Sequence, residues 1–131
     1  MTAVPYAPPR VRTMADAIRA EGRLPVDLVR AIGLQLLDAL EAAHGTGIVH
    51  GNVQPGAIQL TDDGRVILLL SAPGGVAEPT RAGDLLALGA TLFAAVAGRP
   101  GLLRPAIEAL MNPDDRDCVD RARAVLRQYL N

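Results

Sequence analysis

Lysine is absent from this 131-residue chain: the 13 basic residues are all Arg, set against 14 acidic ones for a formal net charge of -1. So even a balance gives no long-range attraction for nucleic acid or an anionic membrane, and neither is expected as a partner. Tryptophan is absent too, and there are only two Tyr and one Phe, although 50% of the residues are hydrophobic. The interior must therefore be filled by Leu, Val, Ile and Ala. Cys118 is the single cysteine, which rules out an internal disulfide and a metal site of the clustered cysteine type. A reducing compartment follows as the simpler expectation, and with it a cytoplasmic location. The longest apolar run, from Leu85 to Gly98, falls short of the roughly 20 residues that span a bilayer, so no membrane insertion is expected. The opening MTAVPYAPPR lacks the apolar core of a signal peptide.

What is present is a pattern of helices with a short β region. The length suits one domain, which buries roughly two thirds of the surface its unfolded chain exposes. Three prolines in the first dozen residues make residues 1–12 an extended arm, with a domain over 13–131. Thr13 followed by Asp16 is a helix-start signal, and MADAIRAE ends at Gly22. From Val26 to His44 apolar residues recur at Leu28, Val29, Ile32, Leu36, Leu37, Leu40 and Ala43, the spacing of one helical face. Short β-type runs follow at Ile48-Val49, at AIQL from Ala57 to Leu60 and at RVILLL from Arg65 to Leu70, with TDDG between the last two as hairpin turn. Asp84 precedes LLALGATLFAAVAG, whose all-round hydrophobicity predicts a helix enclosed by the domain and ended by Gly98 and Pro100. A short helix is expected around Pro105 to Met111. A last one, after NPDD, runs through Val119, Ala122, Val125, Leu126 and Tyr129. The fold class is mainly α (α+β), with one or two short hairpins.

The order of these pieces resembles the C-terminal lobe of bacterial Ser/Thr protein kinases. LVRAIGLQLLDALEAAHGTGIVHGNVQPGAIQLTDDGRVILL is similar to the long helix, catalytic loop and following hairpin of that family. DLLALGATLFAAVAGRP is similar to its central buried helix, and NPDDR to the turn before its last helices. The arm and first helix would match the hinge and the helix behind it. The resemblance covers nearly the whole chain but only the large lobe, and implies that the N-lobe is absent.

The family's H-R-D-x-x-x-x-N loop supplies an Asp that accepts the substrate proton and an Asn that holds Mg²⁺. Here His50 matches the His, Gly51 stands for Arg, Asn52 for the base and Ala57 for the metal-binding Asn. An amide is no useful base at neutral pH and a methyl group coordinates nothing. Gln54 stands where the family carries a Lys toward the transferred phosphate. Leu70-Ser71-Ala72 replaces the metal-binding D-F-G triplet, and the stretch from Ala72 to Asp84 is too short for an activation segment. The resemblance thus implies a degenerate, catalytically inactive relative, a pseudokinase: not an enzyme, with no cofactor and no metal. The matched positions His50, Gly64, Asp84, Gly89 and Arg116 would hold the lobe together. Asp84 would accept hydrogen bonds from the backbone of the His50 loop, and Arg116 would pair with an acidic partner near Glu78.

Other polar clusters read as structure. His44, at a helix end, caps carbonyls or meets the helix dipole. Asp62-Asp63-Gly64 is a turn. Asp114, Asp115, Asp117 and Asp120 lack the Gly and terminal Glu of a calcium loop. Pro73-Gly74-Gly75 has no following Lys and is no phosphate cradle, and Cys118 is a buried helix residue. The roof of the lobe, carrying Ile58, Leu60, Ile67 and Leu69, would be left bare without an N-lobe. A bare patch of several hundred Å² favours association, so these residues are expected to meet a protein partner or a second copy unless the arm folds over them. The leading expectation is an interaction or regulatory module. Half of a composite nucleotide or phosphotransfer site, or a small-molecule domain using the vestigial cleft, are the alternatives.

Overall fold

The computed structural model describes residues 11–62, 64–69, 79–99 and 101–127. Strand β1, Val11–Thr13, leads directly into helix α1, Met14–Glu21. The helix opens on a complete capping box, with Asp16 N donating to Thr13 Oγ1 at 3.0 Å and Thr13 N to Asp16 Oδ2 at 3.2 Å. Gly22 ends it at φ 75, a conformation that costs glycine little. The long helix α2, Val26–Gly45, buries Val29, Ile32, Leu36, Leu37 and Leu40 along the expected stripe, while Leu28 turns outward.

The expected strand at Ile48-Val49 does not form. Ile48 N instead donates to Ala43 O at 2.9 Å and closes the end of α2, leaving the Ile48 side chain exposed. After a short 3-10 turn at Pro55–Ala57 come strands β2, Ile58–Thr61, and β3, Val66–Leu68. The sheet has the order β1-β2-β3 and is antiparallel throughout, with Thr13 opposite Gln59 and Gln59 opposite Ile67. The arm of the sequence reading therefore ends as an edge strand. Gln35 of α2 fastens the hairpin from below: its amide donates to Gly64 O at 3.2 Å and accepts from Val66 N at 3.1 Å.

Helix α3, Arg81–Ala95, starts ahead of the apolar run because Thr80 caps it, accepting from Gly83 N at 2.9 Å. It is not enclosed on every side, since Leu86 and Phe93 are exposed. Helices α4, Arg104–Leu110, and α5, Cys118–Arg127, complete the described fold. Gly33 lets α2 approach its neighbours closely, as a Cβ there would lie 3.2 Å from Leu92 Cδ1. Gly89 does the same between α3 and α4, where a Cβ would meet Met111 Sδ at 3.1 Å and Leu110 Cβ at 3.2 Å. Arg123 ties α5 to α2 through Asp38 at 3.0 Å and Glu41 at 2.9 Å. The Glu41 hydrogen bond, foremost, pushes the Arg123 guanidinium above its usual range. At the far end, Leu24 N donates to Ala95 O at 2.9 Å and joins the entry of α2 to the exit of α3. Among the described residues, no helix is long and apolar enough to cross a membrane.

Candidate functional site

The loop from His50 to Ala57 hangs between the end of α2 and the start of α3, and one carboxylate fixes it. Asp84, in the first turn of α3, is 1% exposed. Its Oδ2 accepts from His50 N at 2.9 Å and its Oδ1 from Gly51 N at 2.8 Å, as the resemblance implied. His44 Nε2 donates to Oδ2 at 2.8 Å, so His44 binds this carboxylate instead of capping its own helix. A buried carboxylate is tolerable where donors of this number compensate its lost hydration. Gly51 sits at φ 80, which lets consecutive N–H groups converge on Asp84.

His50 is locked through both ring nitrogens. Nε2 lies 2.6 Å from Leu69 O, and Nδ1 accepts from Asn52 N at 3.0 Å. A carbonyl only accepts, so the proton sits on Nε2 and the ring is neutral. Asn52 Oδ1 in turn accepts from Gln54 Nε2 at 2.6 Å. Ala57 is fully buried, and its carbonyl accepts from Leu69 N at 2.7 Å, which extends the hairpin one step past β3. A recess of about 300 Å³ opens beside the loop, lined by Gly51, Asn52, Val53, Gln54, Gly83, Asp84 and Ala87. Asp84, the carboxylate in that lining, is turned onto the loop backbone. Among the described residues no group of three His, Cys, Asp or Glu side chains could hold a metal ion. Leu70 and Glu78 lie outside the described residues.

The remaining site positions fall in different places. Gly89 sits at the α3–α4 crossing, and Arg116 is exposed in the turn before α5, with its expected partner Glu78 not described. Ile58 and Leu60 correct the expected partner face: at 0% and 9% exposure they belong to the core. Residues alternate across a pleated strand, and the inward pair packs with Val66 and Leu68 while Gln59, Thr61 and Ile67 face out. Ile67 is exposed and Leu69 half-buried, so the outer face of the sheet is largely polar and no broad apolar roof is present among the described residues. Cys118 is buried, and that burial raises its thiol pKa.

Exposed apolar side chains also stand elsewhere among the described residues: Phe93 and Met111, 45% and 50% exposed, line one recess at the α3–α4 junction. Sequence reading missed this cluster because α3 is apolar all round; a face with no partner looks the same in sequence as one that is covered.

No family model matches the chain. Among curated proteins it is 40% identical over 55 residues to a probable serine/threonine-protein kinase of Clostridium perfringens, a match covering 42% of this chain and 8% of that protein. It is 35% identical over 111 residues to the serine/threonine-protein kinase PknK of Mycobacterium tuberculosis, covering 66% of this chain and 10% of PknK. It is 37% identical over 51 residues to 3-phosphoinositide-dependent protein kinase 1 of Arabidopsis thaliana, covering 39% of this chain and 10% of that protein. The chain thus spans about a tenth of the length of the relatives it matches. These names correct the expectation that the chain is not an enzyme, for they place it beside an enzyme family.

Proposed function

We propose that this kinase-like chain, a partial relative of the Ser/Thr protein kinases, is a C-lobe-like scaffold that works by docking protein, its His50 loop serving to hold the fold together. The observation that carries the reading is the direction in which the loop's polar groups point. Asp84 holds the backbone of His50 and Gly51, and the amide of Gln54 donates to that of Asn52. Groups bonded to one another in this way stiffen a loop. A neutral amide at Asn52 takes no proton from a hydroxyl, and the methyl group of Ala57 binds no cation. Phosphate transfer by a protein containing this lobe would draw its base and its metal ligands from other segments.

In the PknK match, 66% of a 131-residue chain is fewer than the 111 aligned positions, so PknK has residues there with no counterpart in this chain. A composite site, with this lobe as one half, is the second reading, favoured by the kinase names of the relatives. Melting curves with ATP, with and without Mg²⁺, separate the two, because a bound ligand raises the melting temperature by mass action. The scaffold reading expects no Mg²⁺-dependent rise. A rise of several degrees that disappears in Asn52→Ala would overturn it in favour of the composite site.

A further inference from the structure

From the α3–α4 face we infer that the protein docked is a second copy of this chain, held in a two-fold dimer around Phe93 and Met111. The inference rests on the docking reading above and narrows it. The only phenylalanine of the chain is 45% exposed, an unusual place for so large an apolar side chain in a small aliphatic domain. It stands on one stripe of α3 with Leu86 and Ala90, all exposed and spaced as one helical face. Beside it a recess of about 290 Å³ is lined by Ala90, Phe93, Ile107 and Met111, all apolar. Such a surface in water favours burial against another apolar surface.

The charges beside it select the occupant. Arg104 and Glu108, both exposed, line a second recess of similar size that shares Phe93 and Ile107 with the first. They are one helical turn apart, about 6 Å along the axis. Neither takes part in an ion pair among the described residues. A surface carrying one cation and one anion along a helix is complementary to itself when a copy runs antiparallel. A two-fold axis between the two residues sets Arg104 of each protomer against Glu108 of the other, twice, over a shared apolar centre. A parallel copy would set like charges together. An isologous contact requires this pattern of a surface matching its own rotated image, whereas an unrelated partner has no need of it.

The test is sedimentation equilibrium on the purified chain and three variants over a wide concentration range, with circular dichroism to confirm folding. The parent protein is expected to show a monomer–dimer equilibrium. Phe93→Asp, at an exposed position that leaves the core intact, is expected to give monomers. Arg104→Glu alone sets Glu against Glu108 across the axis, and should weaken the dimer by about tenfold or more. Adding Glu108→Arg in the same chain restores opposite charges and should recover the parent affinity. That recovery is specific to self-pairing, because a foreign partner would be repelled twice by the double variant. A parent chain that stays monomeric throughout overturns the second-copy assignment. So does a dimer unchanged by Phe93→Asp, or a double variant weaker than the single one. None of these readouts depends on nucleotide, so they are judged separately from the melting curves.

Discussion

Asp84 shows how much one buried side chain can organise. Its two oxygens accept hydrogen bonds from the His44 ring and from the backbone N–H groups of His50 and Gly51. Asp84→Ala should therefore lower stability by about 3 kcal/mol, since it leaves buried donors without acceptors, and urea denaturation would measure the loss. Asp84→Asn keeps one oxygen and should cost less. At the surface, Asp16 behaves differently. The backbone N–H of Thr13, above all, holds its carboxyl below the usual 3.8. A carboxyl whose pKa is lowered by folding favours the folded state when ionised, so its contribution is present above pH 3.8 and fades as pH falls through the lowered value. Acid titration of the melting temperature should show Asp16→Asn less stable than the parent at neutral pH, with the gap narrowing below about pH 4. The roles of Asp84 and His50 were legible in the sequence through the kinase resemblance. That of His44 was not, because its partner lies on another helix and nothing local marks the pairing.

Helices and strands differed in how clearly they announced themselves. The stripe from Val29 to Leu40 and the Thr13–Asp16 box specify α2 and α1 because the signals are local and repeat along the chain. Ile48-Val49 has β-type residues but no strand to pair with among the described residues, and the Ile48 N–H group bonds to the end of α2 instead. The partner face was misjudged for a related reason: four apolar residues in a row say that a strand is near a core, while the register decides which of them enter it. That register places Ile58 opposite Leu68 and Gln59 opposite Ile67. Where two helices meet, Gly89 carries the same lesson in miniature. Gly89→Val would drive its branches into Leu110 and Met111, and is expected to destabilise the fold by about 2 kcal/mol, measured by thermal unfolding. A Gly89→Ala change should be far milder, since the gain in helix propensity offsets part of the clash.

At the scale of the molecule, one aliphatic cluster joins the five described helices and the sheet, with Leu37, Leu88 and Leu92 fully buried within it. The scarcity of aromatics in the sequence foretold such a core. Leu37→Ala should cost about 3 kcal/mol, and because the cluster is continuous the chain should still unfold in a single transition by circular dichroism and by calorimetry. What composition and pattern left hidden was the outer shape, since exposure of Phe93 depends on which neighbours α3 has. The link from Leu24 N to Ala95 O shows how far the parts depend on one another. It spans segments remote in the chain and breaks only when the exit of α3 lets go of the entry of α2. Deuterium uptake at the Leu24 amide is thus expected to report how readily these two helix ends part, slow where a frayed helix end would exchange at once.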